Sequence, residues 1–424
     1  MGFLSGRAGS PALRWCAMQT IGSIACFFRS RHPNSVPAFL LAILLQGPAG
    51  GIAAAFAQTI QTSAPHAILI DSATQSVLFE KDADALVVPA STVKVMTAEI
   101  VFHEIALGHL KLDDQFPVSE TAWRYGGAPS RGSSMFAALN SSIRVEDLIR
   151  GLVIVSGNDA AIALAEGIAG SEGAFATLMT KRARELGLEH STFTNAWGRG
   201  DPDQKVSPRE MVALANHVIL TYPELYKYFG EKDFTWNKIK QTNRNPLLTM
   251  DLGADGLKTG NIDESGYGLV GSAVQSGQRL ILALYGCRTA KERVEEARKI
   301  LLWGFRSFDS KTIFQAGETI GDAKVYGGGA SEVPLIADKE VKILVPRTAT
   351  GKFTGRIVYT GPLIPPVEAG KEVARLKIFR GTEQILDLPL KTAAAVEQGA
   401  LPRRAMDAGI EYATGLFRKY VVKR

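Results

Sequence analysis

Cysteine is scarce in this chain, and its distribution limits the chemistry open to the protein. The 424 residues include three cysteines, of which Cys16 and Cys26 lie within the first 57 residues. If that segment is cleaved off, Cys287 remains alone and no internal disulfide can form. Cys287 follows an apolar run, so we expect a buried structural thiol and not a nucleophile. A hydrophobic core must therefore stabilise the fold, and the hydrophobic fraction of 46% is sufficient for one.

Histidine is equally rare, which argues against a metal enzyme. The six histidines are scattered, and His103, Glu104 and His109 lack the spacing of a zinc-binding helix. The run Gly327-Gly328-Gly329 lies among predicted β-strands and indicates a turn, not a loop that holds phosphate. We therefore expect neither a metal nor an organic cofactor.

Acidic residues are absent from the first 57 residues, which contain four arginines. An apolar run, Ala38 to Leu45, precedes a stretch rich in glycine and alanine that ends in Ala55-Phe56-Ala57. This pattern predicts a secretory signal peptide cleaved after Ala57, with Met18 as an alternative start. The apolar run is too short to span a membrane. Loss of the four arginines lowers the formal net charge from +6 to +2, which excludes a general nucleic-acid surface.

The order of predicted elements indicates an α+β domain over residues 58–308. We expect one antiparallel sheet with helices on both sides. The predicted strands are 67–70, 77–80, 256–260, 266–270 and 280–285, and the predicted helices are 91–106, 145–154, 160–168, 179–186, 207–220 and 291–303.

Residues 309–395 have a different composition and predict a small all-β sandwich domain. Short β-like runs alternate with turn residues there, at 341–345, 355–359, 373–379 and 385–390. This part contains no cluster of side chains that suggests chemistry.

Residues 396–424 predict a basic amphipathic helix. From Leu401 onward the segment contains six basic residues and two acidic ones. The apolar residues of the segment fall on one helical face: Met406, Ile410, Ala413, Phe417, Tyr420 and Val421. Such a helix binds the surface of an anionic membrane, and the alternative is a helix docked on the protein or frayed in water.

The predicted chemistry begins at Pro89-Ala90-Ser91-Thr92-Val93-Lys94, where a helix starts. Ser91 and Lys94 are three residues apart and share one helical face. A serine hydroxyl needs a base beside it, and a lysine serves when burial or a second cation lowers its pKa. The alternative is an N-capping serine followed by a solvated lysine.

Two further motifs favour catalysis. Ser156-Gly157-Asn158 follows Ser91 by 65 residues, on a loop between helices, and Lys258-Thr259-Gly260 follows Ser156 by 102 residues, on a strand. Together with Ser91-x-x-Lys94, and in this order, they form the set of penicillin-binding proteins and class A β-lactamases.

The chain resembles the low-molecular-weight penicillin-binding proteins that are serine D-Ala-D-Ala carboxypeptidases. The resemblance extends over residues 65–310 and includes Ser133-Ser134-Met135-Phe136 and Leu302-Trp303-Gly304-Phe305. The predicted β domain and basic helix match that family's layout. The resemblance implies that the substrates are peptidoglycan stem peptides and that β-lactam antibiotics are covalent inhibitors. It also implies a periplasmic enzyme attached to the outer face of the cytoplasmic membrane.

The residue types suggest the steps of an acyl transfer. Ser91 is the predicted nucleophile and Lys94 its base, a role worth about 10²- to 10⁴-fold in rate. Ser156 would pass a proton to the leaving amine, and Asn158 would hold Lys94 and a substrate amide.

The strand motif predicts how the substrate is held. Lys258 would keep Lys94 neutral and, with Thr259, attract the substrate's terminal carboxylate. Gly260 is expected to remove a side chain that would block the substrate.

The family resemblance adds three expectations. The backbone N–H groups of Ser91 and Asn261 would form the oxyanion hole, and Asn261 replaces the histidine that the family often has there. Arg244 and Arg293 match family arginines near the substrate carboxylate, with a structural or surface salt bridge as the alternative for each.

Other functions use the same motifs. A D,D-endopeptidase would need no different residue. A class A β-lactamase needs a glutamate near Thr192 to Trp197, where the sequence has no acid. A non-catalytic penicillin-binding sensor would tolerate a damaged site, whereas all three motifs here are complete.

Overall fold

The computed structural model describes residues 60–347 and 352–421, so the predicted signal peptide lies outside the described residues. The chain forms two compact units. The first comprises Ile60–Lys311 with Leu344–Arg347, and the second comprises Thr312–Ile343 with the described part of Thr348–Arg424.

The first unit is built around a five-stranded antiparallel sheet. In chain order the strands of the whole unit are β1 (His66–Asp71), β2 (Val77–Lys81), β3 (Gln115–Pro117), β4 (Ser142–Arg144), β5 (Asp233–Trp236), β6 (Ile239–Thr242), β7 (Ala254–Ile262), β8 (Gly266–Gln275) and β9 (Gln278–Cys287). The order across the sheet is β2-β1-β9-β8-β7. The pairs β3-β4 and β5-β6 form separate two-stranded sheets, neither of which the sequence predicted.

Helices supply the rest of this unit. They are α1 (Lys94–Ala106), α2 (Val145–Val153), α3 (Asn158–Ala169), α4 (Glu172–Glu185), α5 (Pro208–Thr221), α6 (Pro223–Tyr226) and α7 (Ala290–Ser307). Short 3₁₀ turns occur at Ala90–Val93, Ala128–Ser130, Lys227–Gly230 and Pro246–Thr249, and a π-helical turn at Ala122–Gly126.

The sheet is covered by helices on both faces, as predicted. Because side chains alternate along a strand, β1 sends Ile68 to one face and Leu69 to the other. Ile68 belongs to the core cluster that contains the buried residues of α1 to α5. Leu69 belongs to a second cluster, with Ile300 and Leu301 of α7. The α+β prediction is confirmed for this unit.

Helix starts differ in detail from the sequence expectation. Ser207 caps α5, because its Oγ accepts the N–H of Glu210 at 3.2 Å. The Glu210 carboxylate does not complete a capping box. It accepts instead from the His190 backbone and the Ser191 hydroxyl. Helix α3 begins at Asn158, two residues before the start of the predicted helix 160–168.

The second unit is a β structure. Its strands, of which β10 and β13 cross the boundary between the units, are β10 (Phe308–Phe314), β11 (Thr319–Lys324), β12 (Glu332–Ile336), β13 (Val341–Pro346), β14 (Phe353–Tyr359), β15 (Glu372–Arg380) and β16 (Glu383–Thr392). Five form an antiparallel sheet in the order β11-β12-β16-β15-β14, and β10 pairs with β13. The four predicted runs lie within β13 to β16, whereas β10 to β12 were not predicted.

The last element is helix α8 (Leu401–Val421). Asp407 Oδ2 accepts the backbone N–H of Gly327 at 2.9 Å, which ties the first half of the helix to its own unit. Met406 and Ile410 are about three-fifths exposed. The side chains of Ala413, Phe417, Tyr420 and Val421 lie outside those the structure describes. Among the described helices, none is long and apolar enough to cross a bilayer.

Candidate active site

Ser91 lies in the 3₁₀ turn Ala90–Val93, which leads into α1. The sequence predicted that the regular helix starts at Ser91, whereas it starts at Lys94. The Ser91 hydroxyl caps neither element, because neither start has a side-chain cap. Ala90 just before it adopts a left-handed conformation, with φ of 49°. Such backbone strain is typical of functional sites. Because the Ser91 hydroxyl caps neither helix, the N-capping alternative for Ser91 does not hold.

Lys94 is fully buried and lies against three oxygens. Its Nζ is 3.1 Å from Ser91 Oγ, 2.8 Å from Asn158 Oδ1 and 2.5 Å from the Trp197 carbonyl. No described carboxylate forms an ion pair with it. Burial first, and then the charge of Lys258, hold the pKa of Lys94 well below its usual range, against an opposite effect of Asp159. The alternative of a solvated lysine is excluded, and the amine has the properties of a general base.

The turn between α2 and α3 carries the second motif. Ser156 is buried, lines the same cavity as Ser91 and has a φ of 63°. Asn158 begins α3, and its backbone N–H donates to the Ser133 carbonyl at 2.8 Å. The turn is thereby joined to the loop that contains Ser133.

Asp159 anchors that loop. Its carboxylate is wholly buried and accepts from Ser134 Oγ at 2.6 Å, and from the backbone N–H groups of Met135, Ala137 and Ala160 at 3.0 Å each. Four donors around one carboxylate fix the loop against the start of α3. The sequence signal was the Ser-Gly-Asn-Asp run, but the sequence analysis gave Asp159 no role.

Strand β7 carries the third motif. Lys258 is buried, and its Nζ donates to the Thr259 carbonyl at 2.9 Å. Burial, followed by the charges of Arg293 and Arg244, lowers the pKa of Lys258 to about 7. Lys258 is therefore only partly charged at neutral pH.

Gly260 is required for a reason that differs from the expectation. A Cβ built on Gly260 would lie 3.0 Å from the Pro89 carbonyl oxygen and 3.1 Å from the backbone nitrogens of Ser91 and Thr92. The glycine thus makes room for the backbone that carries Ser91, rather than for substrate alone. Strand β7 approaches the serine so closely that Asn261, the next residue, also lines the cavity.

The two arginines lie at the same end of the site. Arg293, on α7, is 8% exposed; its Nη1 donates to the Gly260 carbonyl at 3.3 Å, and its guanidinium lies over the Tyr267 ring. Arg244 is exposed and donates to Gln241 Oε1 at 3.3 Å. Neither pairs with a carboxylate among the described residues, so the salt-bridge alternatives are not observed.

The loop 195–199 completes the surroundings of Lys94. Asn195 is buried, and its Oδ1 accepts the backbone N–H groups of Trp197, Gly198 and Arg199 at 3.3, 2.8 and 3.0 Å. This turn presents the Trp197 carbonyl to Lys94. A Cβ on Gly198 would lie 2.2 Å from the Ala90 carbonyl oxygen, so only glycine fits.

An acid does approach this loop, although the segment itself contains none. Glu172 of α4 accepts the Ala196 N–H at 3.3 Å, and burial raises the pKa of its carboxyl group. It is not among the residues that line the cavity beside Ser91. Sequence reasoning missed it because it comes from another helix.

These elements enclose a cavity of about 520 Å³. The predicted residues that line it are Ser91, Ser156, Thr259, Gly260, Asn261, Arg244 and Arg293, and the others are Arg131, Gly132, Ser133, Tyr267 and Ala290. Lys94, Asn158 and Lys258 are buried beside these residues. The structure therefore brings all ten predicted site residues together. No group of potential metal ligands occurs among the residues described, and Cys287 is buried with its pKa raised to about 12.

A serine beside a buried lysine base, in a cavity with cationic groups and no acid, defines a serine acyl-transfer enzyme for substrates with a carboxylate. Residues 53–289 match the family described as D-alanyl-D-alanine carboxypeptidase, peptidase S11, and residues 308–398 match the C-terminal domain of penicillin-binding protein 5. The chain belongs to this carboxypeptidase family, as the sequence analysis predicted. It is a hydrolase, a serine-type D-Ala-D-Ala carboxypeptidase.

Individual proteins agree with this assignment. The D-alanyl-D-alanine carboxypeptidase DacC of Escherichia coli is 38% identical over 86% of this chain and 95% of its own length. The crystal structure of penicillin binding protein 5 from Haemophilus influenzae is 35% identical, with a TM-score of 0.74, over 80% of this chain and 99% of that one. Penicillin-binding protein D2 from Listeria monocytogenes, in its ampicillin-bound form, is 27% identical with a TM-score of 0.51, over 58% of this chain and 98% of that one.

Proposed function

We propose that the chain removes the terminal D-alanine from peptidoglycan stem pentapeptides, with Ser91 as nucleophile and Lys94 as its base. The observation that supports this most directly is Lys94 Nζ, fully buried and 3.1 Å from Ser91 Oγ. An amine with a lowered pKa is neutral often enough to accept the hydroxyl proton.

The proposed reaction has two halves. Ser91 Oγ attacks the carbonyl between the two D-alanines while Lys94 takes its proton. Ser156 gives its hydroxyl proton to the leaving amine and regains one from protonated Lys94, which leaves the lysine neutral again. The peptide bond breaks, free D-alanine departs and an ester to Ser91 remains. Water then attacks the ester, losing a proton to the lysine, and the shortened peptide leaves as Ser91 regains its proton.

The remaining residues would bind the substrate. The N–H groups of Ser91 and Asn261 would stabilise the oxyanion, and loss of one such donor costs about 2.7–4 kcal/mol in the transition state. Asn158 would hold a substrate amide as well as Lys94.

The terminal carboxylate would bind at the cationic end of the cavity. We assign it to Lys258 and Thr259 of β7 together with Arg244 and Arg293. Neither arginine forms an ion pair with a described carboxylate, since their hydrogen bonds go to Gln241 and Gly260, and this supports the assignment.

β-Lactam antibiotics would acylate the same serine. Their strained amide would take the position of the D-Ala-D-Ala bond, and their carboxylate that of the substrate. No leaving group departs in that case, so the adduct remains in the cavity and is hydrolysed slowly.

The alternatives differ in how they are supported. An endopeptidase acting on cross-links would use the same residues. A β-lactamase of class A lacks support, because Glu172 accepts the Ala196 backbone N–H and has no described hydrogen bond to Ser91 or Lys94. A non-catalytic sensor would not need a buried lysine base in contact with its serine.

We further propose export, removal of residues 1–57, and attachment of residues 396–424 to the periplasmic face of the cytoplasmic membrane. The catalytic domain would then be 58–308 and the β domain 309–395. The large exposed fractions of Met406 and Ile410 on α8 support this attachment.

The decisive experiment uses residues 58–424 and a peptide that ends in Lys-D-Ala-D-Ala. Parent protein should release one D-alanine and bind labelled penicillin covalently, Ser91→Ala should do neither, and Lys94→Ala should acylate at least 100-fold more slowly. Labelled Ser91→Ala would refute the nucleophile. Penicillin binding by the parent without D-alanine release would point to a sensor or an endopeptidase.

A further inference from the structure

A second concavity of about 460 Å³ lies beside the catalytic cavity, and none of the steps above uses it. We call it the recess. Its lining is mostly apolar, with Pro246 and Met250 from the segment before β7 and Val294 from α7. The other lining residues are Arg244, Ala290, Lys291, Arg293 and Glu295.

The recess and the catalytic cavity share a border of three residues, Arg244, Ala290 and Arg293. Both arginines make their described side-chain contacts with residues outside the recess. The contacts of Arg293 are with Gly260 and Tyr267, and that of Arg244 is with Gln241, none of which lines the recess. Ala290 contributes only a methyl group, so the two cavities are adjacent across a border of these three side chains.

The border is also where an anion fits best. Arg293 is 92% buried, and its buried Nε has no hydrogen-bond partner among the described residues. A buried guanidinium N–H without a partner is costly, and a carboxylate would satisfy it. A substrate carboxylate bound by Arg244 and Arg293 would lie at this border, so the side chain of the same residue would be next to the recess.

We propose that the recess receives the side chain of the leaving D-amino acid, so that the enzyme also releases D-residues with larger apolar side chains than alanine. This inference rests on the proposed function of the site. A methyl group occupies little of the recess, whereas a leucine or methionine side chain would contact Met250 and Val294. The chemistry is the same hydrolysis, with D-leucine in place of D-alanine as the first product.

The test compares two peptides that differ only in the last residue, D-alanine or D-leucine. The parent should cleave the D-leucine peptide with a kcat/KM within about tenfold of that for D-alanine. Val294→Trp fills the recess and should lower the ratio of D-leucine to D-alanine kcat/KM by about 10- to 200-fold, the range for a changed apolar pocket. Val294→Ala should raise the ratio.

The matched control is Val77→Trp. Val77 is a partly exposed residue of β2, at the opposite edge of the sheet from β7, so the ratio should stay at the parent value. A parent that discriminates against D-leucine by more than about a hundredfold, or a ratio that neither Val294 variant changes, would overturn the inference. If the parent protein released no D-alanine at all, the proposed function would be overturned, and the inference with it.

Discussion

Gly260 packs directly on Ser91: a Cβ on the glycine would lie 3.1 Å from the serine's backbone nitrogen. Gly260→Ala should therefore push apart the two backbone segments that would form the oxyanion hole. We expect acylation by penicillin to slow by about 10- to 100-fold, because small misplacements of catalytic groups are costly. The rate of covalent adduct formation, followed by mass spectrometry, measures this.

The control for that variant is Gly173→Ala in α4. A Cβ on Gly173 would meet nothing within 4 Å, so acylation should be unchanged. The helix should gain about 0.5–1 kcal/mol of stability, the usual difference between glycine and alanine. If Gly260→Ala acylates at the parent rate, the close contact does not set the geometry of the hole.

Recognition of the carboxylate should weaken as the pH rises through about 7. The pKa of Lys258 is lowered to about 7, so the amine is charged below that pH and neutral above it. The measurement is kcat/KM for a D-Ala-D-Ala peptide divided by that for its C-terminal amide, from pH 6 to 8.5. Titration of Lys94 affects both substrates and cancels in the ratio. We expect the ratio to fall with pH in the parent and to be low and flat in Lys258→Met; a flat parent ratio would show that Lys258 does not hold the carboxylate.

Asp159→Asn should destabilise the first unit strongly. The buried carboxylate accepts four hydrogen bonds, and an amide would turn an NH₂ group toward some of these donors. Each buried donor that loses its acceptor costs about 1–3 kcal/mol, so we expect a loss of a few kcal/mol. Urea unfolding measures the loss. Asp113→Asn, at a largely exposed carboxylate paired with Arg144, should change stability by less than about 0.5 kcal/mol. Equal stability of the two variants would refute the anchoring role.

Helix α8 should carry the protein to anionic vesicles. Residues 58–424 should sediment with vesicles that contain phosphatidylglycerol and remain in solution with neutral ones, and residues 58–400 should remain in solution with both. Met406→Asp with Ile410→Asp should weaken sedimentation, whereas Leu220→Asp, at an exposed site on α5, should not. Sedimentation of residues 58–400 would contradict the membrane role of the helix.

Sequence predicted the site better than it predicted the supporting structure. Ser91, Lys94, Ser156, Asn158 and Lys258 belong to short motifs whose residue types are fixed by chemistry, so spacing and order sufficed to find them. The contacts of Lys94 with the Trp197 carbonyl could not be found in this way, because a backbone carbonyl leaves no residue-type signal.

The fold shows a similar division. Strands β7 to β9 are long and apolar, and the sequence predicted them. The strands β3 to β6 and β10 to β12 have only three to seven residues and contain polar residues or proline, so their pairing depends on tertiary contacts. The sequence did not identify Glu172 for the same reason, because its contact with the 195–199 loop is a tertiary contact between distant parts of the chain.

The pairing of β1 with β9 has a consequence for synthesis. A ribosome releases β1, Ser91 and Lys94 long before it releases Lys258 and the strands that complete the sheet. The nascent chain therefore holds its serine and lysine without the wall that would bind a substrate. Any stop codon before Cys287 should yield an inert product, however many of the motifs it retains, and premature acylation of unfinished chains is avoided.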